Sequence, residues 1–150
     1  MMKNIRNTNT EQEIKKSIEI VKEKLNSLTD DRTCFIYSSY VYEELRNNHI
    51  TSRIISTKDL GYDYEHRFVL VPNDVEEDNY FLIDLTFKQF TNQEVDNVIF
   101  KTLLEDGYQK ISNDLWFFYL QYATGNVEQI PCSLDNAFYK KIDSDNKITF

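Results

Sequence analysis

Two apolar runs on either side of an acidic turn constrain this chain most: HRFVLVP (66–72) and NYFLIDL (79–85), with NDVEEDN between them. Apolar runs of that length, bounded by turn residues, read as buried strands. A connection of this size suits an antiparallel hairpin. TSRIIST (51–57), rich in β-branched residues, reads as a third strand.

The flanking sequence changes to a helical period. Ile14, Ile18, Val21 and Leu25 make the apolar stripe of a helix over about 11–27, with Thr10 and Glu13 as a capping box. Residues 1–9 are polar and are expected to be disordered. CFIYSSYVYEELRNNH, from Cys34, reads as a second helix whose first half is apolar on most faces and so should be largely buried. His49, near its end, reads as a partner of the helix dipole. After FKQF, the segment TNQEVDNVIFKTLLEDG reads as one helix closed by Gly107, and SNDLWFFYLQYATG as another, capped by Ser112 and closed by Gly125. A short helix (134–141) and a last strand, NKITF, are expected in the tail. Helix, helix, three strands and helices again make an α+β fold with an antiparallel sheet, expected as one domain over 1–150.

Composition removes several classes of function. A net charge of −8 opposes nonspecific binding to nucleic acid or to an anionic membrane surface. No stretch is apolar enough to span a membrane, and the N-terminus lacks the apolar core of a Sec signal. Only three glycines are present, and neither a dinucleotide-binding nor a P-loop motif can be written from Gly61, Gly107 and Gly125. Two Cys and two His are too scattered for a structural zinc site, so neither metal nor cofactor is expected. Cys34 and Cys132 are expected as reduced thiols, and Cys132, beside Pro131, as inert. The aromatic segment around Trp116, Phe117, Phe118, Tyr119 and Tyr122 reads as core or partner interface.

The chemistry-bearing residues are Cys34, His66 and Asp84. Cys34 falls in the first turn of a helix, where free N–H groups and the helix dipole favour the thiolate. Asp30 and Asp31, just ahead, oppose it. His66 opens one strand of the hairpin and Asp84 ends the other, so both come to the same end of the sheet. The imidazole can then take a proton from the thiol while the carboxylate holds its other nitrogen.

That order, carried by TCFIYSSYVYEEL, YEHRFVLV and YFLIDLTFKQF, resembles the papain-like (transglutaminase-like) thiol superfamily. Within it, the likeness is to compact papain-fold bacterial effectors and toxins that act as cysteine proteases or glutamine deamidases. It covers roughly residues 28–92, and the run Asp84, Thr86, Gln89, Phe90 is its most specific part. Neither the glycine-rich surroundings of papain's cysteine nor its upstream glutamine is visible. The resemblance implies a papain-like core with N-terminal helices packed on a small antiparallel sheet. It also implies a Cys34–His66–Asp84 triad working through a thioester, with Gln89 as an oxyanion or supporting residue, and a protein substrate, a host protein among the candidates. The expected location is the cytoplasm or a host cell into which the protein is delivered. Two alternatives stand beside it: an inactive module that binds a protein partner, and an acyltransferase or transglutaminase on the same triad.

Overall fold

A computed structural model describes residues 2–26, 33–73, 79–90, 94–125, 134–135 and 137. Helices α1 (Met2–Lys24) and α2 (Thr33–Asn47) come first, followed by strands β1 (Arg53–Ser56), β2 (Arg67–Pro72) and β3 (Tyr80–Ile83). A 3-10 turn at Phe87–Phe90, helices α3 (Glu94–Ile99) and α4 (Lys101–Asp106), strand β4 (Tyr108–Ile111) and helix α5 (Asn113–Thr124) complete the order. The strands form one antiparallel sheet in the order β1-β2-β3-β4. The expected α+β class is therefore observed.

Strand alternation divides the core into two layers. Val69, Val71, Phe81, Ile83 and Tyr108 face α1 and α2, whose Ile14, Ile18, Val21, Val41 and Leu45 are buried against them. Phe68, Leu70, Leu82 and Ile111 face the other way, onto Leu103 of α4 and Trp116, Tyr119, Leu120 and Ala123 of α5. A helix with α1's polar composition is marginal alone, so its fully buried stripe, worth about 1.5–3 kcal/mol per aliphatic side chain, anchors it to the sheet.

Several local expectations change. The first helix starts at Met2, and Thr10 and Glu13 lie inside it instead of capping it. Residues 2–10 contain neither Gly nor Pro to stop the helix. The first half of α2 is less buried than its composition suggests: Cys34, Phe35, Ile36 and Tyr37 are half-buried and Tyr40 is 43% exposed. The single helix expected before Gly107 is broken at Phe100, whose φ of −106° and ψ of 31° leave the helical region. The break turns Phe100 into the core, 5.0 Å from the Phe87 ring, while Val98 and Ile99 remain exposed.

Ser112 occupies the position before α5 without making a side-chain cap bond, and Gly125 closes the helix at φ 66°. His49 takes a left-handed φ of 61° just beyond α2, closing that helix with a main-chain bond to Arg46. In the expected tail helix, Leu134, Asp135 and Ala137 are helical and both apolar side chains are buried. The NKITF strand, Cys132, Asp30, Asp31 and most of the NDVEEDN turn lie outside the described residues. Among the described residues, no helix is long and apolar enough to cross a membrane.

Candidate functional site

The β2–β3 register pairs Val69 with Ile83 and runs to Pro72 opposite Tyr80. His66, one residue ahead of β2, and Asp84, one residue beyond β3, therefore meet at the same end of the sheet. Their side chains join there: His66 Nε2 lies 2.8 Å from Asp84 Oδ2, with both groups buried. The His66 main chain is fixed from β1's side, its N–H donating to Thr57 Oγ1 at 2.8 Å and its carbonyl accepting from the Thr57 N–H at 2.9 Å. Phe68 stacks on the imidazole and the edge of Phe90 packs against it, 4.7 Å between ring centroids. The ring has little freedom to turn.

Asp84 is gripped from three directions. Oδ1 accepts from the Thr86 N–H and from Thr86 Oγ1, each at 3.0 Å. Oδ2, besides His66, accepts from the Tyr119 hydroxyl at 2.8 Å. Tyr119 comes from α5 in the opposite layer and is fully buried among Phe68, Phe87 and Trp116. Burial first, and the negative charge of Asp84 next, hold its phenol far above the usual tyrosine range, so it is a fixed neutral donor. The Asp84 main-chain N–H donates to the Gly107 carbonyl at 3.0 Å.

Gly107 carries this contact at a left-handed φ of 86°, and a Cβ there would sit 2.3 Å from Leu85 Cδ2. Leu85 can swing aside, so backbone strain is the larger penalty of a side chain at that position. Gly107→Ala is expected to lower unfolding free energy by about 1–3 kcal/mol, read from urea denaturation with unchanged slope.

Cys34 stands second in α2, half-buried and free. It opens onto a narrow crevice between α2 and the strand ends, lined also by Tyr37, Ser38, Asp84, Leu85 and Thr86. Burial raises its thiol pKa, but hydrogen bonds from His66 and the Arg67 N–H, with the imidazolium charge, outweigh burial and lower it overall. Burial also opposes protonation of His66, and the bonds to Asp84 and Cys34 overcome it, pushing His66 up to about 9. Nδ1 has no well-formed hydrogen-bond partner among the described residues, so its interaction with the thiol is looser than the Asp84 bond. Hydrogen bonds of this kind are commonly long in sites without a bound substrate. Both shifts run in the direction of a thiolate beside an imidazolium, with the second nitrogen held by a carboxylate.

All three candidate triad residues thus converge. Gln89 does not reach the thiol's partners directly: its exposed amide donates to Thr86 Oγ1 at 3.2 Å, which places it behind Asp84 as a support. Two participants escaped sequence reasoning. Tyr119 looks like one more aromatic in LWFFYLQY, and the Arg67 N–H leaves no trace in a sequence. Among the described residues, no group of three or more His, Cys, Asp or Glu side chains is arranged to hold a metal ion. Compared with protein-family models, curated proteins and solved structures, the chain matches none.

Proposed function

We propose that this protein is a thiol hydrolase of papain-like layout, acting on amides as a cysteine protease or protein-glutamine deamidase of the bacterial effector or toxin type. The observation that carries the reading is His66 bonded through Nε2 to a fully partnered Asp84, leaving Nδ1 for Cys34 at a helix start. A helix bearing the thiol, packed on an antiparallel sheet bearing the base and carboxylate, supports the papain-like comparison.

In the reaction, the Cys34 thiolate attacks a carbonyl carbon and the electron pair moves to oxygen. The Cys34 N–H, in the first turn of α2 where no intrahelical acceptor is available, helps hold that oxyanion. One such donor is worth roughly 3 kcal/mol. His66 gives its Nδ1 proton to the leaving nitrogen as the C–N bond breaks, forming a thioester. The now neutral imidazole takes a proton from water, whose oxygen attacks the thioester. Collapse releases the acid and restores thiolate and imidazolium. A peptide amine as leaving group makes a protease, ammonia from a glutamine side chain makes a deamidase, and both use the same residues. An amine in place of water would make the chain a transferase.

A partner-binding module is the second reading, favoured by Phe117 and Phe118, which stand 43% and 44% exposed on α5. The rate of Cys34 alkylation against pH, in a Cys132→Ser background, separates the two. A hydrolase shows rapid labelling well below the ordinary thiol range, and His66→Ala slows it by more than about tenfold near pH 6. Ordinary thiol titration that ignores His66→Ala sinks the hydrolase reading and leaves the binding module.

A further inference from the structure

We propose that Phe35, Arg67 and Glu65 form a clamp that holds the Cys34 thiol in register with His66, with Arg67 as a positioning residue of the site. This rests on the hydrolase reading and adds to it the part that fixes α2 to β2. Cys34 and Phe35 are neighbours in the first turn of α2, and Glu65, His66 and Arg67 are consecutive at the head of β2. The two segments are adjacent, α2 packing on β2. The Arg67 guanidinium lies 4.2 Å from the centre of the Phe35 ring. Its Nε and Nη2 donate to Glu65 Oε1 at 3.2 and 3.1 Å, and the same oxygen accepts from Ser56 Oγ of β1 at 3.1 Å.

The Arg67 main-chain N–H is meanwhile among the groups that lower the pKa of the Cys34 thiol. Strand alternation explains the division of labour. Arg67 points with Val69 toward the α2 layer, while His66 points with Phe68 toward α5 and Asp84. One residue thus holds the cysteine's neighbour with its side chain while its backbone N–H favours the thiolate. Arg67 is 37% exposed along its side chain, so as an ion pair alone it would count for little. Its leverage is geometric: the Cys34–His66 contact is loose, and a small rotation of the first turn of α2 lengthens it further. Among the described residues, the charged groups facing the thiol are His66 and Asp84.

The test is the pH profile of iodoacetamide labelling at Cys34 in the full chain carrying Cys132→Ser. Arg67→Gln, Phe35→Leu, their combination and Arg67→Lys are compared, each with its thermal midpoint. Each of the first two is expected to slow labelling about threefold to tenfold near pH 6.5 and to move the titration midpoint upward. The combination is expected to be no worse than the worse single change, because both remove one shared contact. Arg67→Lys keeps the cation over the ring but loses the fork, and recovers part of the rate. Profiles that superimpose on the parent's, whatever the thermal midpoints do, overturn the clamp, as do fully additive losses. Should Arg67→Gln fail to fold, Phe35→Leu and Arg67→Lys decide by the same criterion. If the parent thiol itself titrates as an ordinary thiol, the hydrolase reading fails. A low-titrating parent with unmoved variants fails the clamp alone.

Discussion

Asp84→Asn is expected to cut amide hydrolysis by about three to four orders of magnitude while leaving the chain folded. The carboxylate accepts on both oxygens: from Thr86 twice at Oδ1, and from His66 and Tyr119 at Oδ2. Asparagine has one acceptor oxygen and one NH2 group, so it cannot satisfy both sides. If its oxygen keeps the main-chain N–H of Thr86, which cannot turn away, the NH2 faces His66 Nε2. The imidazole must then present a lone pair there and carry its proton on Nδ1, toward Cys34. A neutral ring in that tautomer has no lone pair for the thiol proton, and the charge that stabilised the imidazolium is gone. Packing is nearly conserved, so stability should fall by only about 1–3 kcal/mol, the penalty of the mismatched donors. Turnover of peptidyl coumarin amides and glutamine-containing peptides by parent and variant, with urea unfolding of each, measures both quantities. A loss below about tenfold, on any amide the parent accepts, means that Asp84 is not orienting the base.

The core of this site was legible because its residues break local rules. Asp84 ends an otherwise apolar strand, where a bland core avoids a carboxylate, and His66 heads the neighbouring one. With only NDVEEDN between those strands, an antiparallel register had to bring their outer ends together, and it does. The apolar stripe of α1 was legible for the same kind of reason, since Ile14, Ile18, Val21 and Leu25 recur at the helical period.

What stayed hidden depends on tertiary contact. The four residues of β4 were not anticipated because Gln109 and Lys110 carry no strand signature, and the segment pairs only because β3 offers an open edge. Gln109 shows the same dependence, its side chain accepting from the Leu103 N–H and donating to the Ile99 carbonyl across the broken helix. Phe100 interrupts a helical pattern that no Gly or Pro interrupts, and burial of its ring is visible only once Phe87 is placed beside it. Tyr119 is the instructive case for function. Composition assigns it to the core, correctly, while the direction of one hydroxyl makes it a partner of Asp84. Sequence patterns locate faces, and a face does not specify where its polar atom ends.

Cys34→Ser is expected to abolish hydrolysis, by at least about 10⁴-fold, although the change is nearly isosteric at a half-buried position. The reason lies in where the resting proton sits. A serine nucleophile needs a neutral imidazole to take its proton at the moment of attack. Here His66 is pushed up to about 9, because its bonds to Asp84 and Cys34 overcome burial. With the thiolate gone, the Asp84 bond still favours the protonated ring, which opposes proton transfer from a hydroxyl. The proposed mechanism starts from an ion pair, which a thiol can supply and a hydroxyl cannot. The same proton bookkeeping gives the parent's pH dependence its sign. Below the lowered pKa of Cys34 the thiolate is lost and the rate falls with falling pH. Above about 9 the imidazolium loses the proton that the leaving nitrogen requires, so the rate falls again and the profile is a bell. Any residual turnover in Cys34→Ser should instead rise steadily through the same range as His66 becomes neutral. A serine variant that retained a tenth of the parent rate under a bell would mean that His66 rests neutral, and the ion-pair mechanism would have to be replaced by general-base catalysis.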